Sequence, residues 1–209
     1  MFSGGRDSTL AAARLARMYQ SLILVTVTSD HLIGIENVKR RVAQLKPHVS
    51  EKAEWLVVAQ PLLPRLESLG TATCLPCQRA YAVIGSVIAL QRRIGDLALG
   101  YAKYQDTWPE QTPLATAKLK RVLEPFGVNV TFPVYDLSSK AEAQAELARY
   151  QLAVESLEQK CLRQETNVEI PPALLERELD IWGASITQLL EDAQRIPISV
   201  ASQQKIAEV

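Results

Sequence analysis

Near the start of the chain stands Ser3-Gly4-Gly5-Arg6-Asp7-Ser8, a run with the parts of a phosphate cradle. Glycines let successive backbone N–H groups turn toward an anion, and the serines add hydroxyl donors. A helix beginning near Ser8 would aim the positive end of its dipole at the same point. No Gly-Lys-Ser/Thr follows, so this is not a Walker A loop, and it lacks the Gly-x-Gly-x-x-Gly of dinucleotide-binding turns. Cysteine supplies the second group: the chain has 3, Cys74 and Cys77 in C-x-x-C spacing and Cys161 far downstream. In a reducing compartment such a pair reads as metal-binding or redox-active. Three unrelated thiols packed as small core residues are the alternative.

The elements that must position these residues alternate in type. Ser8 to Tyr19 reads as a helix, Leu22 to Thr28 as a buried β-branched strand, Ile35 to Leu45 as a helix and Trp55 to Ala59 as a strand. Pro61 and Pro64 bracket a short helix that stops at Gly70. A long helix over Gln78 to Arg93, a strand over Asp96 to Gly100, a helix over Leu114 to Leu123 and a strand over Val128 to Val134 follow. Ser139-Lys140-Ala141-Glu142 has the Ser-x-x-Glu form of a capping box, opening a helix toward Tyr150. The expected fold is α/β, with a mainly parallel sheet and helices on both faces, and its ligands at the carboxyl ends of the strands. Residues 1–164 form the expected ligand-binding domain. After a polar stretch and Pro171-Pro172, residues 165–209 form a C-terminal helical extension whose apolar stripe packs on the domain or, with Trp182 as anchor, on a second copy.

The chain has 209 residues, 47% hydrophobic and 22% charged, with a formal net charge of 0. That is room for one well-buried domain and an appendage, with no global attraction for nucleic acid. Local clusters such as Lys39-Arg40-Arg41 and Lys118-Leu119-Lys120-Arg121 could still face phosphate, although such clusters are more often solvated helix faces. No membrane span or export signal is legible, so no membrane partner is expected and the cytoplasm is the expected location.

At Ser3 to Ser8 the chain resembles the PP-loop ATP pyrophosphatases, which cleave ATP to AMP and pyrophosphate while adenylating a substrate oxygen. The resemblance implies an adenine nucleotide alpha hydrolase-like, Rossmann-like fold. A full strand normally precedes the loop in that fold, whereas only Met1 and Phe2 do so here. A late start, a stub strand or a partner chain completing the sheet would each account for this. Cys74-x-x-Cys77-Gln78-Arg79, the helix behind it and Gly95 to Tyr101 resemble tRNA 2-thiolation enzymes, with Tyr101 where that family has His. In those enzymes three thiolates hold a 4Fe-4S cluster with one iron open. Gly100 to Glu110, Phe132 to Val134, Asp136 to Glu142 and Ser156 to Cys161 follow an order similar to 7-cyano-7-deazaguanine synthase. That enzyme forms a nitrile on a small heterocycle and carries a structural zinc on four cysteines, of which only Cys161 has a counterpart.

The resemblances imply that Ser3, Gly4, Gly5, Asp7 and Ser8 hold the pyrophosphate end of ATP, with Asp7 acting through Mg²⁺. Thr26, Thr28 and Ser29 would border the adenosine, and Gly100 would let backbone approach the nucleotide. Arg6, Arg79 or Lys103 would neutralise charge as pyrophosphate leaves. Cys74, Cys77 and Cys161 would hold the 4Fe-4S cluster, or Zn²⁺ in the second family, with Asp7, Arg6 and Cys161 catalytic. His31 is a substrate contact, a general base or an idle loop residue. Asp106, Trp108 and Glu110 sit in a loop placed to meet the acceptor, with Trp108 either stacking on a base or anchoring a lid. The expected activity is adenylation followed by sulfur transfer to a nucleic-acid base, with tRNA as the expected partner. Nitrile or amide formation on a small heterocycle, and a non-catalytic ATP-binding subunit, are the alternatives.

Overall fold

The computed structural model describes residues 1–61, 63, 73–163, 170–193 and 196–209. The short helix expected up to Gly70 falls mostly outside these residues. Helix α1 (Arg6–Ala16) leads into strand β1 (Ile23–Thr28), the two-residue strand β2 (Leu32–Ile33) and helix α2 (Ile35–Leu45). Strand β3 (Glu54–Ala59), helix α3 (Leu75–Arg92), strand β4 (Asp96–Ala98), helix α4 (Pro113–Leu123) and strand β5 (Asn129–Thr131) follow. The chain continues through helix α5 (Lys140–Arg149), strand β6 (Lys160–Cys161), helix α6 (Pro172–Glu191) and strand β7 (Ser199–Lys205).

β1 pairs with β3, and β4 with β5, in parallel. β7 pairs with β3 antiparallel, and β2 with β6 antiparallel, so the expectation of a mainly parallel sheet is corrected to a mixed arrangement of small sheets. The stretch after Pro171 is likewise more than helical, because it also supplies β7. Phe2 N–H donates to Val25 O at 2.7 Å and the Met1 nitrogen to Ala98 O at 2.6 Å, so Met1 and Phe2 lie between β1 and β4. Met1 and Phe2 thus link the two sheets.

Strand side chains alternate between faces, and the core follows that period. Leu24, Trp55 and Val57 pack with Leu10 of α1, Val38 and Val42 of α2, and Leu147 of α5. Val25, Val27, Leu56 and Val58 face Ala80, Ile84 and Ile88 of α3 on the other side. Helices thus lie on both faces. Arg14 fastens α5 to α1 through a two-pronged pair with Glu146, at 2.7 and 2.6 Å. On α6, Leu179, Trp182, Ile186 and Leu190 are buried against α3, α4 and the β4–β5 pair. Trp182 is fully buried and donates to Leu75 O at 3.0 Å, which removes it as an anchor for a second copy.

Candidate nucleotide and thiol site

The loop Ser3 to Gly5 runs from the sheet into α1. Gly4 has φ +81°, where a side chain is strained, and a Cβ there would stand 2.8 Å from Leu157 O. Gly5 is the N-cap and gives α1 no side-chain cap, so the first-turn amides remain available to an anion. Ser3 Oγ accepts from Gly5 N–H at 3.1 Å and lies 3.1 Å from Ser8 Oγ, which fixes the loop's shape. Behind it, buried Arg41 of α2 donates to Gly4 O, to Ala153 O at 2.8 Å and to Glu155 O. Gly100 backs onto the same turn: a Cβ there would meet Ser8 N at 2.6 Å. The close approach that Gly100 permits is therefore to the cradle's own backbone.

Asp7 accepts from Tyr104 Oη at 2.6 Å and from Gln105 Nε2 at 3.0 Å. Burial raises its pKa, while those hydrogen bonds and Arg6 pull the other way. Gln111 braces Gln105 at 2.8 Å and takes the Ala102 N–H at 3.0 Å. A carboxylate has about four lone-pair sites, so two neutral donors orient Asp7 and leave capacity for a cation.

A cavity of about 680 Å³ lies in front of the loop, a size suited to a nucleotide. Ser3, Gly5, Arg6, Asp7, Ser8 and Gly100 line one part of it, and Cys74, Cys77 and Cys161 line another. His31, Trp108 and Glu110 also reach it. Thr28, Ser29, Arg79, Lys103 and Asp106 are not among its lining residues. Thr26 is not either; its buried hydroxyl donates to Phe2 O at 2.8 Å and accepts from Trp55 Nε1 at 2.9 Å, which commits it to packing. Ser29 instead holds His31, 2.9 Å from its Nδ1. Glu158 Oε2 would stand 2.7 Å from a Cβ on Gly5, a carboxylate beside the anion cradle.

The three cysteines are free and partly exposed. Cys74 caps α3, Cys77 lies in its first turn, and Cys161 reaches them on β6, whose register with β2 puts it opposite Leu32. A helix N-terminus favours thiolates, but burial wins here. It pushes the Cys74 thiol up to about 12, with Glu110 and the other two cysteines adding to the shift. Burial raises Cys77 as well, followed by the charge of Cys161. Three soft sulfur donors on one cavity, with no fourth cysteine in the sequence, match a group that takes three protein ligands and leaves a position open. Among the described residues no three His, Cys, Asp or Glu side chains stand at metal-ligating spacing. At the position of the family's His, Tyr101 Oη donates to Gln78 at 2.8 Å and its ring stacks on Phe132.

Sequence reasoning passed over Tyr104, Gln105 and Gln159 as site residues. The first two lie within the Gly100 to Glu110 run, and their spacing does not disclose that they face Asp7.

No family model matches the chain, and no curated protein matches it. Among solved structures it is similar to the U34-tRNA thiolase NcsA from Methanococcus maripaludis with its 4Fe-4S cluster, at 15% identity and a TM-score of 0.54. The match covers 100% of this chain and 78% of that one. The chain shares that fold. No helix among the described residues is long and apolar enough to cross a membrane.

Proposed function

We propose that the chain is an ATP-dependent enzyme of the PP-loop type that adenylates an oxygen of a nucleic-acid base, tRNA being the partner, and replaces that oxygen with sulfur. One observation carries the reading: a single cavity is lined by both the phosphate-cradle loop and all three cysteines. Ser3, Gly4, Gly5 and Ser8 with the α1 amides hold the pyrophosphate end of ATP. Asp7, oriented by Tyr104 and Gln105, holds Mg²⁺. Arg6 offsets charge as pyrophosphate departs. Cys74, Cys77 and Cys161 would hold a 4Fe-4S cluster, which when bound supplies an open iron for sulfur. Fold likeness to NcsA supports the same assignment.

Anaerobic purification followed by iron, zinc and acid-labile sulfide counts, together with pyrophosphate release from ATP, tests this. We expect iron with matching sulfide, lost in Cys74→Ala, and pyrophosphate release lost in Asp7→Asn. Cys161→Ala should abolish sulfur transfer while sparing ATP binding. Zinc without sulfide, or pyrophosphate release indifferent to Asp7, overturns the assignment.

A further inference from the structure

Among the described residues, three side-chain polar atoms on the cavity lining are buried with no hydrogen-bond partner: Arg6 Nε, Glu110 Oε2 and Gln159 Oε1. Their chemistry is sorted by position. The donor belongs to the phosphate loop, and the acceptors belong to the loop after β4 and the segment before β6. A native fold tolerates buried unpaired acceptors where a ligand supplies the missing donors.

Glu110 sits in the helical turn Pro109–Gln111 and is 1% exposed. Gln111, the adjacent residue, has both ends of its carboxamide committed to Gln105 and Ala102, so it cannot turn to relieve the carboxyl. Gln159 donates through Nε2 to Val27 O at 2.8 Å. Because a carbonyl only accepts, the orientation of that amide is settled and Oε1 is left as a fixed acceptor. Trp108, half-buried in the same loop as Glu110, adds an aromatic wall to the cavity.

We propose that Glu110 recognises the acceptor base by taking a hydrogen bond from the ring N–H that flanks its reacting carbonyl, with Gln159 Oε1 taking a second donor from the same ligand. The ligand class is a lactam or imide nucleobase, of uracil or guanine type. This rests on the adenylating reading of the cavity, since adenylation of a base oxygen needs a ring carbonyl. Cytosine has such a carbonyl but no N–H on the ring nitrogen beside it, and adenine has neither. Glu110 stands close enough to Cys74 and Cys77 to act on both thiols, which puts it on the thiol side of the cavity.

The test uses the anaerobically purified full chain with four probes: uridine 5′-monophosphate, guanosine 5′-monophosphate, and the ring-N-methyl derivative of each. The wild type should bind one parent nucleotide at least about tenfold more tightly than its methylated form, since a site built around a hydrogen bond rejects a ligand that lacks it. The pair that shows the preference identifies the base. Glu110→Met should bring the ratio close to one, leave ATP affinity within about twofold and raise the melting temperature, because it removes an unpaired buried oxygen. If Glu110→Met does not fold, Glu110→Gln carries the test and should lower the ratio at least threefold. A wild type that fails to distinguish either pair, a ratio unchanged in the folded variant, or a parallel loss of ATP affinity that puts the carboxyl on the adenine amino group each overturns the proposal. A wild type that discriminates between the nucleotides but releases no pyrophosphate from ATP would remove adenylation and leave the Glu110 contact standing.

Discussion

Asp7 receives its two hydrogen bonds from Tyr104 and Gln105, residues 97 and 98 positions away in sequence, so the sequence motif identifies the carboxylate but not what orients it. Tyr104→Phe removes the 2.6 Å donor and leaves a mostly buried carboxylate oxygen unpaired. The expected cost is about 1–3 kcal/mol in denaturant unfolding, with weaker MgATP binding by calorimetry. Gly100→Ala is expected to be worse than its size suggests. Its Cβ would meet backbone atoms of Ser8 at 2.6 Å, and backbone cannot rotate out of the way as a side chain can. Fluorescence titration with ATP should show the cradle impaired even where the fold survives. Thr26 shows why the reading by residue type fell short. A threonine on a strand beside a nucleotide site is a reasonable ligand contact, but the tertiary fold gives its hydroxyl to Phe2 and Trp55.

Elements with their own hydrophobic period were legible. The helices α2, α4 and α5 and the strands β1 and β3 stand within a residue or two of where their apolar spacing places them. The capping box at Ser139 is also present, with Glu142 N–H donating to Ser139 Oγ at 3.1 Å, although the Glu142 carboxylate reaches back one residue further, to Ser138. β7 was not legible, and its composition explains why. Ser199 to Lys205 is mostly polar and mostly exposed, so its strand form comes from pairing with β3 rather than from a face of its own. Trp182 gives a test at this scale, since its indole N–H joins α6 to Leu75 at the head of α3, beside Cys74 and Cys77. Trp182→Phe keeps most of the packing and loses the hydrogen bond. The expected loss is about 1 kcal/mol in denaturant unfolding, the net worth of one buried hydrogen bond, since the Leu75 carbonyl keeps its intrahelical partner. Reduced metal retention should accompany it.

Across the whole molecule, the cavity imposes a pH dependence on folding through Glu110. Burial pushes its pKa from 4.5 up to about 7 in the folded state. Between those values the unfolded chain releases the proton and the folded chain keeps it. The group's contribution is therefore fully present below about pH 4.5 and is lost as pH rises through 7, a change of about 3 kcal/mol. Glu110→Gln should flatten that part of the stability profile of the metal-free protein, as urea unfolding at stepped pH would show. The same cavity carries a consequence for how the chain comes apart. Cys74 and Cys77 head one helix, while Cys161 lies in a short strand 84 residues beyond Cys77. A group bound by all three would close a long chain loop, and loop closure removes entropy from the unfolded state much as a disulfide does. Such a group would then act as a cross-link as well as a reactive centre, and its loss would slacken the fold in the act of silencing the chemistry.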